Sequence, residues 1–376
     1  MRNWSVRLVG AGIVAVVLTG VLLSGVVFTG TALTGTAAAT DNSDDVVTVP
    51  VSFEVSNVNQ SKVACSSDGR RYTVHGNIVA PRSALSGDDP ARSSSLTIYT
   101  HGLSYNGESF FHFTDVPGYD YVTEQARNGH ASLEFDLPGY GDSDVLKDGH
   151  QLCYGSEATI IHQMIGQLRS GHYDTDGEDP VAFRKIALAG HSAGGFTAQA
   201  EAYSFHDIDA LIIMAFADQG FSPLLLTTTG TTTLRCTLGG DPKPGDPGTT
   251  GYAYFGQTDA DYRAGHLHNT DPDVARAATE NRVKDPCGRI GSAIPNAVSD
   301  IALLATVHVP VLLVYGKNDA LFQDNAAGTP LQKLHYLGSS DVQDMFLPNT
   351  GHALTLERTA PQMREQVSDW LDRHGL

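Results

Sequence analysis

The sequence predicts an α/β architecture, a mostly parallel sheet with helices on both faces and a cap inserted late in the chain. Two observations carry this. Short apolar runs alternate with longer stretches of helical spacing, the signature of strands joined by crossover helices. That rhythm then breaks once, between about residues 219 and 299, in a stretch too long for an ordinary connector.

The elements follow in order. Val46 to Val55 and Tyr72 to Val79 read as two antiparallel opening strands, and 83–95 as a polar loop rich in Gly, Pro and Ser. LTIYT (96–100) is a short buried strand, 121–128 a helix, and 131–137 the next strand. From Glu157 to Arg169, Ile160, Ile161, Met164, Ile165 and Leu168 recur at helical spacing and define one apolar face. A polar turn region covers 171–180, then 185–189 is a strand and 193–204 a helix. Residues 210–217 and 311–315 are continuously apolar, as strands covered on both faces should be. A last strand over 344–347 precedes a closing helix from Pro361 to Arg373, with proline suited to the first turn.

The segment 219–299 contains a Thr-rich tract (227–233), a Gly/Pro-rich stretch (239–250) and a helical piece from Asp271 to Val283. Its aromatic residues Tyr252, Tyr254, Phe255 and Tyr262 argue for a packed cap rather than a linker. The expected organisation is therefore a core in two parts, 40–218 and 300–376, interrupted by a cap over 219–299.

Residues 1–39 read as a signal peptide. Arg2 and Arg7 precede an apolar run from Leu8 to Phe28, and Ala37 to Ala39 supply small residues for cleavage after Ala39. The run approaches the roughly 20 residues that span a bilayer, so an uncleaved N-terminal anchor is the alternative. Without this segment, 22 basic residues face 42 acidic ones, a net charge of −20. Such a surface repels nucleic acid and anionic membrane, and neither is an expected partner. Four cysteines in an exported chain read as two disulfides, for which Cys65–Cys153 and Cys236–Cys287 are the favoured pairs, the second clipping the cap shut. Oligomeric state has no signature in the sequence.

The chemistry centres on Gly190-His191-Ser192-Ala193-Gly194. The apolar strand KIALA ends directly before it and a small-residue helix follows. In that context G-x-S-x-G reads as a sharp strand-to-helix turn that lifts a serine hydroxyl above the sheet. A serine is a weak nucleophile and needs a base. His352, in Asn349-Thr350-Gly351-His352 after the last strand, is the expected one. The imidazole in turn needs a carboxylate. Asp319, directly after the strand VLLVY, is expected to supply it, with Asp218 after LIIMAFA as competitor. An oxyanion needs backbone donors. Ala193 N–H is one, and the loop after LTIYT supplies Leu103 as the other, with Ser104 as near rival. His101 in that loop reads as architectural. His266 and His268 lack a completing ligand set, and no HExxH or nucleotide-binding glycine pattern occurs, so no cofactor or metal is expected.

Four segments together carry a family resemblance: the His-Gly pair after the third strand, DLPGYGDSD (136–144) after the fourth, GHSAG, and the late Asp319 and His352. In this order, over about 96–376, the chain resembles the α/β-hydrolase superfamily, and within it exported bacterial esterases and lipases. The resemblance implies an eight-stranded, mostly parallel sheet, and assigns DLPGYGDSD an architectural role. The expected function is hydrolysis of carboxylic esters of small-molecule or lipid-like substrates through an acyl-enzyme on Ser192. Peptidase, lactonase, thioesterase and cofactor-free haloperoxidase-like chemistry would use the same groups, and a catalytically silent binding protein is the contrasting class.

Overall fold

A computed structural model describes residues 45–86, 95–324 and 328–376. The signal-peptide reading of 1–39 lies outside them.

The strands β1 (Val46–Ser56) and β2 (Arg71–Pro81) form an antiparallel pair, and the short helix α1 (Arg82–Ser86) leaves β2. Val49, Val51, Phe53 and Val55 turn alternately inward along β1, as a strand with one covered face requires. Next come β3 (Ser95–Thr100), α2 (Gly107–Phe110), α3 (Tyr121–Arg127), β4 (Ser132–Phe135) and α4 (Tyr154–Ser170). The two-residue β5 (Asp174–Thr175) lies in the expected turn region and pairs antiparallel with β1. Then follow β6 (Lys185–His191), α5 (Ala193–Phe205) and β7 (Ala210–Met214). After a long excursion the chain returns through β10 (Val311–Gly316) and β11 (Val342–Leu347) to α10 (Ala360–His374).

The main sheet has the order β11-β10-β7-β6-β3-β4-β2-β1-β5. From β11 to β4 neighbours run parallel, and β2, β1 and β5 join antiparallel. The count is thus nine rather than the eight the resemblance implied. The additional strand is β5, a polar pair with no hydrophobic signal of its own.

Alternate residues of the parallel strands feed two cores. Leu96 and Ile98, Ile186 and Leu188, and Leu211 and Ile213 face one side with α4 and α5. Tyr99, Ala187, Ala189, Ile212 and Met214 face the other, under α3 and α10. This explains why these strands lack polar alternation: both of their faces are dry. Helix α4 buries the five predicted apolar residues, and starts three residues earlier than their spacing suggested because Gly155 and Ser156 are buried too.

The excursion holds α6 (Pro223–Thr237), β8 (Tyr252–Ala253), α7 (Asp259–His266), α8 (Pro272–Glu280), β9 (Asp285–Pro286) and α9 (Cys287–Leu303). Strands β8 and β9 pair with each other, outside the main sheet. The Thr-rich tract, for which the sequence suggested no helix, lies inside α6. Ser222 caps the helix by accepting the N–H of Leu225 (3.0 Å), and Pro223 preorganises its first turn. The threonines satisfy themselves within the helix: Thr227, Thr232, Thr233 and Thr237 each donate to the carbonyl four residues back at 2.8–2.9 Å. Helix α9 lacks any clear sequence signal, with Gly288, Gly291 and Pro295 inside it, and it runs through the expected boundary at 299. Disulfides join Cys65 to Cys153 and Cys236 to Cys287, the latter tying α6 to the start of α9. Among the described residues no helix is long and apolar enough to cross a membrane.

Candidate active site

Strand β6 ends at His191 and α5 begins at Ala193, so the whole reversal falls on Ser192. Its backbone takes φ 52° and ψ −124°. For a residue with a Cβ this costs on the order of 1–3 kcal/mol, sustained only by surrounding structure. That structure is specific. Ser192 N–H donates to Met214 O (2.8 Å), and Gly195 N–H donates to Ser192 O (2.7 Å). A Cβ on Gly194 would lie 2.4 Å from Thr100 O, and one on Gly102 would meet Ser192 Cβ at 2.8 Å. Strand, turn and loop therefore pass at distances that only glycine permits at both positions.

His352 lies on the loop after β11 and is completely buried. Its Nε2 is 2.8 Å from Ser192 Oγ and its Nδ1 is 2.8 Å from Asp319 Oδ2. Asp319, on the loop after β10, is itself fixed, since its Oδ1 accepts the N–H groups of Leu321 (2.7 Å) and Phe322 (3.1 Å). The parallel arrangement delivers all three groups to one edge, because β6, β10 and β11 end on the same side of the sheet. Such a chain can draw a proton from a hydroxyl to an imidazole whose other nitrogen is held by a carboxylate.

The competitor Asp218 does not reach His352. It is buried beside α5, where Gln332 Nε2 donates to it at 2.6 Å and Gln199 Nε2 at 3.3 Å. Burial raises its pKa despite these donors.

Leu103, Ser192 and Ala193 line one cavity. Ser104, the rival of Leu103, takes φ 72°, and its N–H is already engaged by both carboxylate oxygens of Asp285 (2.9 and 3.1 Å). The loop 101–104 is gripped from a second point. Arg289, at the start of α9, donates to His101 O (3.2 Å), Gly102 O (3.4 Å) and Tyr140 Oη (2.8 Å), and pairs through Nε with Glu157 at 2.9 Å. Both ions are wholly buried. Tyr140 Oη–H in turn donates to Asp285 (2.8 Å). Burial pushes Asp285 up to about 7, against the pull of Arg289 and of the Ser104 amide. Sequence reading did not single out Arg289 or Asp285, and took Tyr140 only as part of the architectural turn 136–144. The one available signal for Arg289 was Glu157, an acid in register with the apolar face of α4.

The histidines near the site divide by burial. His101 Nδ1–H donates to Gly102 O (3.0 Å), and burial lowers its pKa to about 3, with Arg289 adding to the effect. It is therefore a neutral brace of its own loop. His191 Nε2–H donates to His352 O (3.0 Å) while Phe110 stacks on the ring at 4.1 Å. His266 comes from α7, stacks on Tyr262 and meets Tyr105 Oη at 2.7 Å, its ring 5.2 Å from that of His352. Burial holds both of these rings well below the usual imidazole range, which keeps further positive charge away from His352. His268, whose N–H donates to Glu357, stays outside the site.

The cavity above Ser192 measures about 430 Å³. Its walls are Phe196, Phe216, Leu321 and Phe322 from the core, with Leu225 and Thr229 of α6 and Ile290 and Ile294 of α9 closing it from outside. The hydroxyl thus sits at the floor of an apolar chamber.

A doubly covered parallel sheet, with a serine at a strained strand-to-helix turn and an imidazole and carboxylate arriving from later loops, defines a hydrolase of the α/β type. The model of the alpha/beta hydrolase family matches residues 98–366, and the chain belongs to that family. Similar solved structures include a thermophilic esterase from Thermogutta terrifontis, 15% identical with a TM-score of 0.54, covering 86% of this chain and 100% of that one. Another is the monoacylglycerol lipase of Paleococcus ferrophilus, 18% identical with a TM-score of 0.53, covering 74% and 94%. Carboxylesterase CesB from Bacillus subtilis is 13% identical with a TM-score of 0.52, covering 85% and 91%. At these identities the likeness is one of fold. No curated protein matches the sequence.

Proposed function

We propose that the protein is an exported serine hydrolase that cleaves carboxylic esters carrying an apolar acyl group. The observation that carries the reading is the continuous relay Asp319–His352–Ser192, with both hydrogen bonds at 2.8 Å, opening into an apolar cavity. Ser192 Oγ attacks the ester carbonyl carbon as His352 Nε2 takes its proton, and Asp319 stabilises the imidazolium. The amides of Ala193 and Leu103 receive the oxyanion. Collapse expels the alcohol, which takes the proton from His352. A water molecule, deprotonated by the same nitrogen, then releases the acid. Segment 219–299, continued by the rest of α9, serves as the cap that shapes the acyl chamber. Two disulfides support export.

Small p-nitrophenyl esters and aminoacyl amides test this. With about 0.8 kcal/mol gained per buried methylene, kcat/KM should rise about fourfold per carbon from acetate towards hexanoate. Ser192→Ala should lower kcat by about 10⁴-fold or more with the fold retained, and abolish labelling by a fluorophosphonate. Cleavage of amides with esters at background would make it a peptidase. Absence of labelling in the wild type would mean a binding protein.

A further inference from the structure

A second cluster of chemistry-bearing side chains lies away from Ser192. His162 on α4, Glu201 on α5 and Asp207 just beyond α5 each offer a ligand atom, and these atoms lie within 4.8 Å of one another. Glu201 is nine residues along α5 from Ser192, roughly 13 Å at the helical rise, so the cluster belongs to the opposite end of that helix.

The feature that sets it apart is a shortage of donors. Glu201 is completely buried, and neither of its carboxylate oxygens has a hydrogen-bond partner. Oδ1 of Asp207 is also buried without one. The single donor recorded within the group is His162, whose Nδ1 is 2.7 Å from Asp207 Oδ2. Arg169 is close enough to be felt by Glu201, but its guanidinium is spent on Arg184 O, Asp207 O and Asp209 Oδ2. A buried carboxyl facing a second carboxylate is neutralised either by a proton held between them or by a cation.

The surroundings hold the three groups in place. Phe205 stacks on the His162 ring at 4.0 Å and 8°, fixing its plane. Arg169 anchors the loop through Asp207 O, and Lys62 Nζ donates to Tyr203 O at 2.6 Å, bracing the end of α5. His162 and Asp207 are partly exposed, with side-chain accessibilities of 37% and 25%, so an ion can enter from solvent and keep a water on its open side.

We propose that His162, Glu201 and Asp207 form a structural site for a divalent transition cation, with zinc as the best fit. One imidazole nitrogen and two carboxylates match zinc, which takes ligand atoms at about 2.0–2.2 Å, better than calcium, which prefers six or more oxygens. The ion replaces the His162–Asp207 hydrogen bond at Nδ1, the ring carrying its N–H on Nε2 instead, and supplies the charge that Glu201 lacks. It pins α4, α5 and the entry to β7 together and takes no part in ester cleavage. The residues are 39 and 6 positions apart in sequence, so no motif spacing announces them.

The test uses tag-free, chelator-treated full-length protein. Calorimetric titration with zinc chloride should give one saturable site, and zinc should raise the Tm by several degrees. His162→Ala and Glu201→Gln should each weaken binding about 100-fold or more, and cobalt should give visible ligand-field bands that both variants lose. The competing account is a proton shared by Glu201 and Asp207. In that case Glu201→Gln matches the wild type in Tm with or without zinc, and the wild type shows no saturable binding up to about 1 mM zinc. That result, or zinc affinity unchanged in both variants, overturns the proposal.

Discussion

At the scale of single residues, two acids stood open in the sequence and their surroundings separate them. Asp319 has one oxygen on His352 and the other held by two backbone amides, so it is an oriented acceptor. Asp218 is enclosed by Gln199 and Gln332 and has no route to the imidazole. Asp319→Asn should therefore lower kcat by about 10³- to 10⁴-fold by upsetting the His352 tautomer, while Asp218→Asn should change it less than about tenfold. Steady-state kinetics on one ester decide this, and the reverse ranking would transfer the role to Asp218. Ser192, His352 and Asp319 were readable because each follows a recognisable strand. That the Ser104 amide is already engaged was not readable, because the Asp285 contact comes from 181 positions away.

At the scale of elements, α9 makes a link that no periodicity could reveal. Its first turn places Arg289 under the loop 101–104 and against Glu157 of α4. Removing one member of a buried ion pair typically costs about 3–5 kcal/mol, because the other charge stays behind. Arg289→Met should therefore lower stability by about that amount, seen as a reduced urea midpoint, and Glu157→Gln added to it should recover a large part. A single variant as stable as the wild type would show that the pair contributes little. The neighbouring α6 teaches a related lesson. Threonine is a poor helix former in isolation, yet a proline start, a serine cap and hydroxyls bonded back along the helix make it regular here.

At the scale of the whole molecule, several carboxyls are buried where charge is costly. Glu134 on β4 is pushed up to about 8 by burial, Asp285 to about 7 and Asp136 to about 6. A carboxyl whose folded pKa is raised binds its proton more tightly in the native state. Its stabilising contribution is complete below the unfolded value near 4.5 and is lost as pH rises through the folded value. The urea midpoint should therefore fall between pH 5 and pH 8. Glu134→Gln, which keeps an oxygen for the amide of Asn77, should flatten that fall. An equal slope in wild type and variant would remove Glu134 as a contributor.

By itself the sequence determined the layered α/β plan, the strand-to-helix turn at Ser192 and the order in which serine, carboxylate and imidazole occur. These are written in local signals: runs of apolar residues long enough for a doubly covered strand, and glycines where backbones must touch. The tertiary structure alone decided which acid meets His352, that Asp285 takes the Ser104 amide of the 101–104 loop, and that α9 braces that loop with a buried arginine. Those outcomes depend on side chains brought together from 33 positions apart for Asp319 and His352 and from 181 and 187 for the contacts of Asp285 and Arg289, and contacts of that range leave no periodicity in the chain that makes them.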